Sequence, residues 1–495
     1  MDNIAKSNRV DTKKTLSQQV MHGGFWIFSL RISRRFLEFL RTVILAHFLA
    51  PHDFGLMGIA ILTLQTLEAF SQTGFQAALV QKKDDIKTYL NVAWTVLVLR
   101  GIFLFGIIVI FAPAVSIFFK SQESRLLIQI IGLSFLLQGF TNIGIVFFQK
   151  ELEFKKQYIY DLAGVIFDFL LSVILVFIMK SVWALVIGKI TGEIARLIAS
   201  YALSSYRPRF EFNLHKFHNL HSFGRWVSGV NIVTYIVTQG DSIIVGRIFG
   251  PASLGIYKLG STIANMPTTE ITSVISQVAF PAYAKIQDNL ERLRSSFLKT
   301  LFFTGILSSL LTSLIYVFIP DFTNVFLGEK WLYIIPIVQV LVIAGFVRSL
   351  TAIPGPLFQA IGKPHLDTYS QVVRLTGLLI PIYPLCKAFG LIGVAYSVLI
   401  SIVCMSFYSF IYSIKIFNLK INLLLKTLLT PVILGLALIL IITFFGHYLN
   451  RGPLINLVVL VPLSFVTFLG MIILREYLNP EYRIIDSINI FRKQK

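Results

Sequence analysis

Cysteine is almost missing from this chain. Only Cys386 and Cys404 occur among 495 residues, both inside apolar segments. They read as two buried thiols and not as a disulfide. No cluster of cysteine and histidine has metal-ligand spacing, so neither a metal nor a cofactor is expected. Charge is thin as well, at 14% of residues, and acids are the rarer sign: 24 Asp and Glu against 44 Lys and Arg. A soluble domain of this length needs far more polar surface. Residues 1–21 are polar and basic and contain no short apolar core ending in small residues, so no cleaved leader is expected.

What the chain has in abundance is apolar sequence. Hydrophobic residues make up 55% of it, and the mean hydropathy is +0.76. These residues come in long runs, and a bilayer core asks for runs of about 20. The reading is an all-α membrane protein of about fourteen transmembrane helices. Helix cores are expected at 22–48, 54–81, 89–118, 126–148, 158–179 and 182–204. The next six are at 222–249, 253–283, 296–319, 331–357, 366–386 and 390–414, and a last pair at 424–447 and 453–474.

The net charge of +20 raises nucleic acid as a partner, but the basic residues sit between hydrophobic runs and not on one solvated face. In a membrane protein such charge sets topology. The N-tail, the even-numbered connections and the C-tail together hold about 26 Lys and Arg, among them Lys82, Lys150, Arg207, Arg292 and Lys420. The opposite loops hold only Lys120, Arg125, Lys180, Lys330, Lys387 and Arg451. Both termini are therefore expected on the cytoplasmic side of the membrane. The far-side loops are short, which argues against a glycosyltransferase or a polymerase. No catalytic residue is assigned.

A shift of 200 residues lays helix 1 on helix 7: Gly24 meets Gly224, Trp26 meets Trp226, Pro51 meets Pro251 and Gly55 meets Gly255. Each copy reads as helix, tight Pro-x-x-x-Gly turn, helix. The unit contains six helices, an even number, so both copies enter the membrane in the same direction. That is a parallel pseudo-two-fold repeat. The expected organisation is a tail at 1–21, a first lobe at 22–204, a linker at 205–221 and a second lobe at 222–414. Two further helices occupy 415–475, and a tail 476–495.

Helix 1 carries Arg31, Arg34, Arg35, Glu38 and Arg41 within an arc of roughly 120°. A charge facing lipid at mid-membrane costs at least about 2.5 kcal/mol, so these groups must face protein or water. One reading is the wall of an anion-binding cavity. Others are pairing with acids elsewhere, snorkelling, or a later helix start. The repeat carries the stripe onto Asn231, Thr234, Tyr235, Thr238 and Asp241, a polar face without cations. With Lys258 and Asn265 of helix 8, it suits sugar hydroxyls. Arginine suits phosphate, because its planar fork bonds bidentately and stays charged. Glu38, Glu68, Asp241 and Glu270 are candidate coupling acids for H+ or Na+. Lys189, Glu193 and Arg196 read as an internal salt-bridge ladder. Arg100, Arg348 and Arg374 stand as isolated intramembrane arginines, and Asp168, like Glu68 and Asp241, reads either as a carrier of a coupling proton or as an acid buried to pair with an arginine.

Four strings carry a family resemblance: FLAPHDFGLMGIA at 48–60, FQKELEF at 148–154, FPAYAKIQDNLERLRSSF at 280–297 and FLGEKWLYIIPIVQVL at 326–341. The chain resembles the polysaccharide-transport branch of the multidrug/oligosaccharidyl-lipid/polysaccharide flippase superfamily. It is most similar to the Wzx-type subgroup that includes the colanic acid exporter. The resemblance implies a MATE-like fold of two six-helix lobes and two trailing helices. It also implies a substrate, an oligosaccharide repeat unit on undecaprenyl pyrophosphate, handled beside membrane lipid, a polymerase and a chain-length regulator. The alternatives are an ion-coupled drug exporter of the same fold and a non-transporting partner of a glycan assembly complex.

Overall fold

The computed structural model describes residues 16–72, 79, 86–151, 153–449 and 452–478, with backbone only at 16–28, 214, 216–231, 233, 274, 276–277, 449, 476 and 478. The basic tails at 1–15 and 479–495, and the loop residues Lys82 and Lys83, lie outside the described residues. Among the described residues the chain is helical, with no strand. The first six helices are α1 (Leu16–Phe48), α2 (Pro51–Ser71), α3 (Lys87–Phe118), α4 (Ser124–Phe140), α5 (Phe154–Met179) and α6 (Trp183–Leu203). The run Leu214–Lys285 breaks at Gly250 into α7 and α8. Then follow α9 (Leu290–Phe322), α10 (Ile334–Thr351), α11 (His365–Phe389), α12 (Leu391–Phe417), α13 (Ile421–Leu449) and α14 (Pro453–Leu478).

These fourteen helices form a multi-pass membrane fold. Among the described residues nine are long and apolar enough to cross a bilayer on length and composition alone, ten if the bent α4 is included with its continuation. The remaining four are α1, α6, α7 and α8, which carry the charged and polar stripes. Large apolar side chains stay exposed along the helices, among them Ile110, Ile178, Ile380, Leu440 and Ile473. In water such a surface would aggregate, and in a bilayer it is the side that lipid covers.

Two expectations are corrected. The segment expected as one helix at 126–148 is bent by 68° between α4 and Ile143–Lys150. Buried Asn142 sits at the bend. Its Oδ1 accepts from the Gly144 amide at 2.9 Å, and its Nδ2 donates to the Tyr206 carbonyl at 2.7 Å. A short amide side chain that bonds nearby backbone offers the chain an alternative to helix, and here that alternative wins. The second correction concerns the Pro-x-x-x-Gly turns. Pro51 opens α2, with Gly55 one turn in, and Pro251 and Gly255 open α8 in the same way. Proline is at home in a first helical turn, where its missing N–H has no partner to lose. The helical break itself falls at Leu49–Ala50 in one copy. In the other it falls at Gly250, whose φ of 80° is a backbone that L side chains rarely adopt.

The chain forms two compact units, residues 1–49 with 56–236 and residues 50–55 with 237–495. In the first, α5 packs on α6 through Gly188 and Gly192, small residues one turn apart that let the backbones approach closely. In the second, Tyr283, Phe297, Leu357, Phe358 and Phe417 are all buried in one cluster joining α8, α9 and α12. A further cluster seats α13 and α14 on α9 through Phe302, Phe318, Leu438 and Phe468. The Arg475 guanidinium lies over the Phe302 ring, 4.7 Å from its centre.

The second unit also contains a reciprocal notch. A Cβ on Gly55 would overlap the carbonyl oxygen of Pro251, and one on Gly255 would overlap the carbonyl oxygen of Pro51. The first turns of α2 and α8 therefore touch backbone to backbone, at the positions the repeat pairs. Beside the notch, Phe54 meets buried Trp331 edge to face at 5.2 Å. Gly255→Ala is expected to force these turns apart and lower stability by about 1–3 kcal/mol. Gly470→Ala, where nothing lies within 4 Å, is expected to be neutral or slightly stabilising. Thermal midpoints of the two purified variants check this.

Candidate functional site

The stripe on α1 is held by two different arrangements. Arg34 Nε donates to Glu38 Oε1 at 2.7 Å, and Arg35 approaches Glu38 Oε2 at 3.6 Å. These follow from helical spacing, since residues three and four apart share a face. Both guanidinium side chains are about half exposed, at 51% and 45%, and Arg31 lies one turn earlier on the same face. Arg41 is different. It reaches across to Asp168 of α5, and both side chains are four-fifths buried. Asp168 also accepts from Ser172 Oγ at 3.2 Å. One end of the stripe is thus structural, and Arg31, Arg34 and Arg35 with Glu38 form its exposed end.

Other acids of the first unit find partners too. Glu68 lies 3.6 Å from Arg100, whose Nη2 also donates to Ser71 Oγ at 2.9 Å. Glu193 is buried and takes both Lys189 at 2.8 Å and Arg196 at 3.3 Å, the ladder expected from their spacing. Tyr235, expected among the sugar-binding residues, does not present its hydroxyl to a ligand. It is buried and bonds α2, donating to the Leu62 carbonyl at 3.0 Å and sharing a hydrogen bond with Thr66 at 2.6 Å. Thr234 and Thr238 are exposed on α7, and the Asn231 side chain lies outside the described residues.

The second unit gathers a polar cluster that the spacing of residues did not reveal. Tyr257 donates to Asp241 Oδ2 at 2.6 Å, and the Ser242 amide donates to Oδ1 at 2.6 Å. Lys258 Nζ donates to Gln239 at 2.6 Å. Arg348 of α10 donates to Asn265 Oδ1 at 2.9 Å. Asp241, Tyr257, Asn265, Arg348 and Arg374 all line one cavity of about 80 Å³ between α7, α8, α10, α11 and α12. In the sequence Arg348 and Arg374 looked isolated, and Tyr257 was not singled out. Glu270 lies half-buried on α8. Cys386 is buried and Cys404 half-buried, both as free thiols.

Residues 44–336 match the family described as "Polysaccharide biosynthesis protein". The chain belongs to that family. It is 26% identical over 369 residues to the lipopolysaccharide biosynthesis protein WzxC of Escherichia coli K12, covering 74% of this chain and 75% of that protein. Its fold is similar to that of the lipid II flippase MurJ in an inward closed conformation, with a TM-score of 0.71 at 17% identity, over 92% of this chain and all of that one. It is also similar to an inward-facing multidrug MATE transporter of the MOP superfamily, with a TM-score of 0.61 at 16% identity, over 77% of this chain and 94% of that one. The polysaccharide family member described here therefore has the MATE-like fold of that superfamily.

The burial of the Arg41–Asp168 pair makes a prediction. Arg41→Gln leaves a largely buried carboxylate uncompensated and is expected to cost about 2–3 kcal/mol. Arg34→Gln, on an exposed pair, is expected to cost less than about 1 kcal/mol. The double variant Arg41→Gln/Asp168→Asn is expected to recover most of the loss, and a thermal-unfolding double-mutant cycle measures it.

Proposed function

We propose that this protein is a flippase that moves an undecaprenyl-pyrophosphate-linked oligosaccharide repeat unit from the cytoplasmic to the outer face of the inner membrane. The product serves O-antigen, capsule or exopolysaccharide synthesis, and transport runs by alternating access through a cationic central cavity. Membership of the polysaccharide biosynthesis family supports a substrate of this class. So do the name of the WzxC relative and the likeness in fold to a lipid II flippase. The count of basic residues supports cytoplasmic termini.

The observation that carries the proposal is the exposed end of the α1 stripe. Arg34 and Arg35 both pair with Glu38 and stay half exposed on a helix of membrane-crossing length. At 1.5 Å per residue, Arg31, Arg34 and Arg35 lie about 20–25 Å from the end of α1 at Phe48. With Phe48 at the outer surface, they stand in the cytoplasmic half of the bilayer, where a lipid-linked sugar begins its passage. A diphosphate offers two groups to guanidinium forks, and the polyprenyl tail stays in lipid while the head crosses. The hydroxyls of Thr234 and Thr238, with Asn231, Lys258 and Asn265, are assigned to the sugars. Glu38, Glu68, Asp241 and Glu270 are the acids on which H+ or Na+ coupling would rest. A polymerase and a chain-length regulator are the proposed downstream partners.

Complementation of a flippase deletion tests this. Without the gene, lipid-linked repeat units should collect on the cytoplasmic face and surface polymer should fall. Arg31→Gln, Arg34→Gln and Arg35→Gln are expected to weaken headgroup binding about ten- to a hundred-fold, the worth of one charge-assisted hydrogen bond. Arg→Lys should rescue only in part, because a point charge lacks the bidentate fork. Full surface polymer from all three Arg→Gln variants at matched membrane levels would remove the stripe from the mechanism. Normal polymer in the deletion strain, with no second flippase present, would remove the function itself.

A further inference from the structure

We propose that the cavity inside the second unit binds a small inorganic anion, for which chloride serves as the probe. The argument starts from charge. Arg348 of α10 and Arg374 of α11 both line this cavity. Arg348 gives one N–H to Asn265, and its Nε is fully buried with no hydrogen-bond partner. Arg374 makes no hydrogen bond or ion pair among the described residues. Two guanidinium groups in one small space repel each other, and low dielectric strengthens that repulsion.

The groups around them do not cancel the charge. From α7 comes Asp241, the single carboxylate lining the cavity, and it already accepts from Tyr257 and from the Ser242 amide. Among the described residues neither arginine comes within ion-pair distance of it. From α8 come Tyr257, whose O–H donates to Asp241, and the adjacent Lys258, whose ammonium donates to Gln239. From α12 come Ser401 and Val398, which bring no charge. Two cations therefore face one carboxylate, and a buried donor points at nothing. An uncompensated buried cation is costly, and an anion between the two guanidinium groups removes the cost and satisfies the orphan N–H.

Size narrows the ligand. A cavity of about 80 Å³ holds several waters or one small ion. It is too small for a whole sugar diphosphate, although Thr238, Asp241 and Asn265, assigned above to the sugars and to coupling, line it as well. The flippase proposal is carried by the α1 stripe and not by this cavity, so failure of the anion proposal would leave it standing. A bound metal cation is disfavoured by the same charge count.

The test uses the full chain purified in detergent. Its thermal midpoint is followed in sodium chloride, choline chloride, sodium phosphate and sodium gluconate at equal ionic strength. Expected is a saturable rise with chloride over gluconate, equal in the sodium and choline salts. Inorganic phosphate is expected to compete with chloride, and gluconate serves as the bulky organic comparison. Arg374→Gln and Arg348→Gln are expected to weaken the apparent chloride affinity at least ten-fold, and Arg374→Lys less. A rise that follows sodium, an equal rise in gluconate, or wild-type chloride affinity in both Arg→Gln variants overturns the proposal. If those variants do not purify, bromide-soaked crystals of the unaltered protein decide. An anomalous peak between Arg348 and Arg374 supports the site, and its absence at saturating bromide refutes it.

Discussion

A charged side chain in a membrane-spanning helix must find an opposite charge, a hydrogen-bond partner or water, because hydrocarbon offers none of these. The packing of this protein turns on that constraint. Where the partner is another helix, the charge becomes a clamp. Arg41 on α1 reaches Asp168 on α5, and Glu193 takes up both Lys189 and Arg196 within α6. Where the partner is one turn away on the same helix, the charge stays accessible, as Arg34 and Arg35 do around Glu38. The same residue type thus makes a buried pair between helices at one end of α1 and a half-exposed pair within the helix at the other.

Close backbone approach is the second theme. Gly188 and Gly192 bring α6 against α5 and set Asp168 within reach of Arg41. Gly55 and Gly255 let the first turns of α2 and α8 meet without side chains between them. Glycine weakens a helix by about 1 kcal/mol relative to alanine, so its retention inside helices calls for a return in packing. In both places that return is visible as backbone contact. The internal repeat makes the second case symmetric, since Pro51 and Gly55 answer Pro251 and Gly255.

The two units treat their charge differently. In the first, arginines pair with carboxylates on their own or neighbouring helices. In the second, Asp241 is occupied by neutral donors, Tyr257 and a backbone amide, while Arg348 rests on an amide oxygen. A guanidinium satisfied by a neutral acceptor keeps its full charge, and so does a carboxylate satisfied by a hydroxyl. The cluster therefore retains a field inside the protein instead of cancelling it.

Much of this was written locally in the chain. A bilayer has a set thickness, so each apolar run declares a helix by its own length, and basic residues between runs declare the side on which each loop belongs. The helical periodicity of α1 likewise put five charges on one face, and the spacing of Lys189, Glu193 and Arg196 built their ladder. The bend after α4 was hidden, because it depends on Asn142 finding Ser200 and Tyr206 well along the chain. The roles of Arg41, Arg348 and Tyr257 were hidden for the same reason. Arg41 and Asp168 are 127 positions apart, and their meeting depends on how α1 and α5 are rotated about their axes. Local hydropathy and periodicity determined the number, length and polar faces of the helices. Only the tertiary structure decided which charge meets which, because pairing energies act across helices at distances the sequence does not record.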